Sequence, residues 1–346
     1  MSTWKVSKEQ IKLFPHPNAD SLELGRVGSY QVVVQKGLYK DSDPVLFVPE
    51  HSVLTGLLEQ EYKTYLAGPD KNRVRSVTLR QETSAGIILP GSLVEQITGL
   101  HIDQLPYGQD LSELLGITKY EAPIPVQLAG ELERVDWAVP LHRHDCEQLG
   151  VYADSLIDGE VVMVTEKLHG SQLIAAFFAG RRLISSKGLL GRGLAIKPTT
   201  SNAYWRAANE VGLWDLLERY SAEFVDGTVI QVFAELIPCQ GGNWSYGQSK
   251  PTLRIFDIWV GGYSIPYHEV PEYLQHLWVP ILFHGDFNLD TIRPLREGKE
   301  QVSGRQLHIR EGIVVRPHTL RRASDGTWLQ LKLINPLYKQ TGEEIN

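Results

Sequence analysis

The 346 residues carry a formal charge of −7, with 42% hydrophobic and 22% charged residues. That balance is the composition of a globular chain and argues mildly against a protein that coats nucleic acid by bulk positive charge, and the length favours two or more domains. No apolar run reaches bilayer length, the start Met1-Ser2-Thr3-Trp4-Lys5 leads into polar sequence, and two cysteines, Cys146 and Cys239, cannot build a disulfide framework, so a cytoplasmic protein without membrane contact is expected.

The first segment predicts short strands. Leu22–Val27 is partly alternating, Tyr30–Gln35 is β-rich, and Pro44–Pro49 is a strand flanked by prolines. Arg73–Arg80 alternates polar and apolar residues, the pattern of one half-buried strand. Several short strands in about 100 residues predict a small barrel. Leu111–Gly116 reads as a short helix, and Pro123 and Pro125 mark a linker. The chain is thereby divided into a module over 1–125, a linker over 126–149 and a second domain over 150–346. In that domain Ala203–Tyr220 has helical apolar spacing, with Trp205, Leu213, Trp214, Leu216 and Leu217 on the repeat. Basic residues gather at Arg73/Arg75/Arg80, Arg181/Arg182/Lys187/Arg192 and Arg316/Arg321/Arg322, each a solvated face or a local anion-binding patch.

The chemistry centres on Thr165-Glu166-Lys167-Leu168-His169-Gly170, which follows the strand Val161–Val164. Lys167 is therefore expected at a strand end, with Gly170 freeing the turn. A lysine attacks only when neutral, so its pKa must be brought down by desolvation or nearby cations. Lys-x-x-Gly alone is a weak signal. What strengthens it is an ordered series of strands with charges near their ends. Ser186-Lys187-Gly188 comes first, then Phe233-Ala234-Glu235 and Phe256-Asp257-Ile258. Glu311–Arg316 and Leu329-Gln330-Leu331-Lys332 complete it. His142–Cys146 reads as a polar loop, since its spacing fits no zinc site. Gly241–Gly247 reads as a flexible loop beside the site whose Trp244 and Tyr246 could stack on bases.

This series resembles the six collinear motifs of the covalent nucleotidyltransferases: DNA ligases, RNA ligases and capping enzymes. His169 in Lys-Leu-His-Gly is similar to RNA ligases. His16–Leu22, Gly37–Lys40 and Val45–Glu50 resemble an OB-fold tRNA-binding module. An OB-like module ahead of the transferase resembles the family whose type member is the Deinococcus RNA ligase. The implied fold is α+β: an N-terminal OB-like β-barrel, then an adenylyltransferase domain, ATP-grasp-like, of antiparallel sheets with flanking helices. The implied activity is ATP-dependent sealing of 3′-hydroxyl and 5′-phosphate ends through a lysyl-AMP and an adenylated 5′ end. The substrate would be a nicked duplex with RNA on the 3′-hydroxyl side, and the protein a monomer. By that resemblance Lys167 is the nucleophile, Glu235 and Glu311 hold Mg²⁺ or Mn²⁺, and Lys332 contacts phosphate. Glu166, Leu168, His169, Gly170, Lys187, Phe256 and Gln330 would line the ATP site, Phe256 stacking on adenine and Glu166 meeting its amine. Gln330 departs from the family, which has a lysine there, and Gln172 from relatives with asparagine. A DNA ligase or a non-catalytic RNA-binding protein stays open as an alternative reading.

Overall fold

The computed structural model describes residues 4–340 apart from 29, 122, 125–127, 129, 136–139, 153–154, 239–243 and 325. Pro125, Cys239 and residues 241–243, singled out in the sequence, lie outside the described residues, as do residues 1–3. The chain forms two compact units, Met1–Ala122 and Pro123–Asn346. The architecture is mixed α and β with mostly antiparallel sheets. Among the described residues no helix is long and apolar enough to cross a membrane.

The first unit is organised by Pro44–Val48. This strand pairs with Ser7–Pro15 on one side and Ile87–Leu89 on the other. Its unbroken apolar run buries both faces, Val45 and Phe47 in one core cluster, Leu46 and Val48 in another. Leu22–Val27 and Tyr30–Gln35 extend the five-stranded sheet. The 73–80 segment is not one strand. Arg73–Val74 pairs in a second sheet, whereas Val77–Leu79 forms a hairpin with Glu82–Ser84. Arg80 and Gln81 both have positive φ, as a tight two-residue hairpin turn requires. The 111–116 segment forms turns rather than a helix. It is too short to sustain helical winding, and Gly116, with a φ of 64°, ends it.

Among the described residues the second unit holds two sheets. The larger is antiparallel and runs Leu132–Arg134, Leu194–Ile196, Arg181–Ser186, Ser171–Phe178, Ile230–Ile237, Thr252–Val260, Tyr263–Ser264. Leu132–Arg134, within the expected linker, is thus an edge strand. The smaller sheet runs Glu147–Gln148, Leu331–Ile334, Gly312–Pro317, Val161–Lys167, Ile281–Asp286, parallel only at its first pair. The 203–220 segment is two helices, Ala203–Glu210 and Leu213–Ser221, because Gly212 turns left-handed (φ 64°) between them. Trp205, Trp214, Leu217 and Tyr220 pack with Leu173, Ala175 and Phe177 of the larger sheet in the main core.

Candidate functional site

Val161–Lys167 belongs to the smaller sheet and Ser171–Phe178 to the larger. Leu168-His169-Gly170 is therefore the crossing between the sheets, and Lys167 is the last residue before it. Leu168 is buried in the core and anchors the crossing. Gly170 is required for closeness, not for a positive φ. A Cβ there would lie 2.3 Å from the Leu236 carbonyl oxygen and 2.8 Å from Glu235 Cγ. Its backbone N–H donates to the Glu235 carboxylate, so the crossing and the first acidic strand are fastened together.

Lys167 Nζ donates to Glu311 Oε1 at 2.6 Å, from a side chain that keeps 25% of its exposure. Strand register sets this contact, because Lys167 faces Gly312 across the ladder, next to Glu311. Burial pulls the Lys167 pKa down, but the Glu311 and Glu235 charges and the Glu311 hydrogen bond outweigh it and hold it above the ordinary value. Burial lifts Glu235 to about 8; Lys167 opposes that shift and Glu311 adds to it. Glu235 is thus a buried carboxyl that the nearby ammonium alone does not suffice to ionise.

Lys187 begins the short helix Lys187–Leu190, capped by Ser186, and pairs with Asp145 at 2.5 Å. Lys332 lies on Leu331–Ile334, opposite Val314 and Gln148. Lys332, Lys167 and Lys187 all act electrostatically on Cys146, a half-buried free thiol that burial nonetheless pushes up to about 11. These lysines share one neighbourhood. The 142–146 stretch, a bystander loop by its sequence, supplies part of its wall.

Glu166 is buried at 2% exposure, and Oε2 accepts the Gln301 N–H at 2.8 Å. Its Oε1 is buried without a protein partner. Burial raises this carboxyl to about 7. A buried acceptor of this kind fits a ligand that brings its own N–H donor. His169 is fixed on several sides. Its N–H donates to Tyr246 Oη at 2.7 Å, and Nδ1 lies 2.7 Å from Tyr338 Oη. Trp244 and Tyr246 are buried against it rather than offered to bases. No sequence pattern around Tyr338 marks it for this role.

Phe256 sits where the pairing of Ile230–Ile237 with Thr252–Val260 slips, Phe233 facing Asp257 and Ala234 facing Ile255. This bulge leaves Phe256 unpaired and half-buried, with its ring against His144. The next residue, Asp257, is fully buried. It accepts from Arg316 Nη1 (3.0 Å), Trp259 Nε1 (2.6 Å), Ser264 Oγ (2.8 Å) and Gln330 Nε2 (3.2 Å), with His144 Nε2 at 3.2 Å. Burial alone would raise its pKa; Arg316, His144 and the other donors reverse this and hold it well below the carboxylate range. Gln330 is therefore turned into a buried network, not grouped with Lys332 in the open part of the site. The third basic cluster is split between the interior and the surface. Arg316 serves Asp257, Arg321 pairs with Glu160, and Arg322 lies over Trp328.

Known proteins share this architecture. The structure of Naegleria gruberi RNA ligase with pyrophosphate is similar at TM-score 0.69 and 21% identity, covering 98% of this chain and 99% of that one. A mutant of the same ligase without ligand gives TM-score 0.71 at 20% identity, with full coverage of both chains. Another mutant, with ATP and Mn, gives 0.70 at 20%, covering 98% and 99%. At such identities the likeness is one of fold. No curated protein sequence matches the chain significantly. The family model described as RNA ligase matches residues 160–332, which spans every motif strand from Lys167 to Lys332. That match covers half of the 346 residues, and the chain belongs to the RNA ligase family.

Proposed function

We propose that the protein is an ATP-dependent RNA ligase that seals 3′-hydroxyl and 5′-phosphate ends, with Lys167 as the residue that takes AMP. The observation that carries this reading is the position of Lys167. Its amine ends a strand at the crossing of two sheets, 2.6 Å from Glu311, with Glu235 also acting on its charge. The nitrogen attacks the α-phosphorus of ATP as the bond to pyrophosphate breaks. A 5′-phosphate oxygen then attacks the same phosphorus and releases the lysine. Last, the 3′-hydroxyl attacks the capped 5′-phosphate and AMP leaves.

The residues divide this work by chemistry. Lys167 must lose a proton before it attacks, and Glu311, in hydrogen-bond contact, is placed to receive it. Glu235 and Glu311 are hard oxygen donors suited to Mg²⁺ or Mn²⁺, and such an ion would favour the ionised form of Glu235. The ion would supply charge to the α-phosphate and weaken the carboxylates' hold on the lysine proton. Lys332 and Lys187 bring cations to the phosphates. The free Oε1 of Glu166 fits the adenine amine, Phe256 its ring, and Leu168 and Gly170 hold the turn beneath. His169 sets the crossing and approaches phosphate from it. Gln330 acts on the site through Asp257.

The first unit is read as the OB-like module that grips the duplex, as in the Deinococcus type of RNA ligase. The preferred substrate is a nick with RNA on the 3′-hydroxyl side, and the working form is a monomer in the cytoplasm. The test is incubation with α-labelled ATP and Mn²⁺ or Mg²⁺, then denaturing electrophoresis. The wild type should retain label and Lys167→Ala should not. Equal labelling of both would overturn the assignment of Lys167. Equal sealing of all-DNA and RNA-containing nicks would overturn the preference for RNA.

A further inference from the structure

Three histidines of the second unit meet on one face of the smaller sheet, and the ligase reaction uses none of them. His284 and His318 come from the chain on either side of Val161–Lys167. His284 pairs across from Met163, and the His318 N–H donates to the Val161 carbonyl. Residues 161 and 163 share a face, so both imidazoles reach over the same strand. Nε2 of His284 lies 3.0 Å from Nδ1 of His318, with ring centroids 5.0 Å apart and planes 21° apart. A spacing that wide with nitrogens that close means the rings meet nearly edge to edge, one facing nitrogen donating to the lone pair of the other. His268 covers His318 face on, at 4.7 Å and 9°. Together they border a cavity of about 460 Å³ with Met163, Tyr267 and Gln275.

We infer that His284 and His318, joined by His268, bind a divalent transition metal of the zinc, nickel or copper type. Imidazole nitrogen is a favoured ligand for these ions and a poor one for Mg²⁺, so the site is chemically separate from the carboxylates near Lys167. Two nitrogens of a tetrahedral zinc, each about 2.0–2.1 Å from the ion, stand roughly 3.3 Å apart. The present gap is a few tenths of an ångström short of that. On binding, the proton between the two rings moves to the far nitrogen of its own imidazole, so both facing lone pairs go to the metal and nothing is oxidised. Among the described residues no three ligating groups already converge. His284 and His318 are therefore a two-nitrogen clip, and the exposed His268 turns out of its stack to become the third ligand.

The full chain, stripped with a chelator and held in excess Mg²⁺, is titrated with Cu²⁺ and with Zn²⁺ against a competing dye. About one equivalent should bind, and the Cu²⁺ resonance should show nitrogen hyperfine splitting. His284→Ala and His318→Ala should each weaken binding about tenfold or more, and His268→Ala less, while the exposed His276→Ala leaves it unchanged. Binding that survives His284→Ala undiminished, or no nitrogen splitting, overturns the site. If His318→Ala fails to fold, the exposed His284 decides alone. Unchanged affinity in His268→Ala overturns the third ligand.

Discussion

Two charge networks lie close together in the second unit and are built on opposite terms. Around Asp257 one buried carboxylate is met by Arg316, Trp259, Ser264, Gln330 and His144, and its charge is stabilised. Around Lys167 two carboxylates share one nearby ammonium, Glu235 is driven up to about 8, and Glu166 keeps an unpartnered oxygen. The Asp257 carboxylate takes its donors from within the protein and works as scaffold, while Arg316 Nε is left without a partner. The second keeps an unpartnered acceptor and a carboxyl that its neighbours leave largely un-ionised, which suits the nucleotide and metal proposed for it. The contrast teaches that residues of one ordered series of strands divide into those proposed to touch the reaction and those that hold the first group in place.

The comparison can be broken most severely at Asp257. Asp257→Ala leaves Arg316 buried without its counter-charge and should cost about 3–5 kcal/mol, read from urea unfolding. A loss of activity without loss of stability would show that Asp257 belongs with the reactive group. The next effect concerns Glu166. Its folded-state pKa, about 7, is raised above the ordinary 4.5. A raised acid favours folding while protonated, so its contribution is full below about pH 4.5 and lost as pH climbs to about 7. Glu166→Gln should remove about 2–3 kcal/mol of that pH dependence, measured by unfolding at pH 5 and pH 8. An unaltered slope would mean the carboxyl is solvated.

A smaller effect is expected at Gln330. Restoring the family's lysine as Gln330→Lys places a second cation beside Arg316 in a buried pocket, and should cost about 1–2 kcal/mol with no gain in AMP transfer. Faster labelling would place residue 330 with Lys332 after all. The smallest effect is a shift in a profile. The Lys167 pKa is raised, so labelling should climb about tenfold per pH unit below it, as the neutral amine grows. Glu235→Gln lowers the rate but should also move that rise about one unit toward lower pH. A slower enzyme with an unmoved profile would limit Glu235 to binding metal.

Several features are legible in the sequence alone. Val161–Lys167 is a strand that ends on the lysine, Glu235 lies within another, and Lys332 is carried by a third. Other expectations fail for local reasons. Gly212 breaks the long helix, and the hairpin turn at Arg80-Gln81 takes Val77–Leu79 out of its expected strand. Trp244 and Tyr246 have the chemistry to stack on bases, yet they are packed behind His169. Gly170 has the freedom of a turn residue, but what the fold uses is its lack of a side chain, since the Leu236 carbonyl leaves no room for one.

By itself the sequence determined the order of the chemical groups along the chain and their residue types, because periodicity and side-chain chemistry are local properties. It also carried the motifs by which the chain is grouped with RNA ligases. Only the tertiary structure decided how the groups are divided between the two networks. Glu311 meets Lys167 across 144 positions and Gln330 meets Asp257 across 73. Such pairings follow from strand register and from the crossing at Leu168-His169-Gly170, and neither leaves a signal in the neighbouring residues, since a one-residue slip in register would send each side chain to the opposite face.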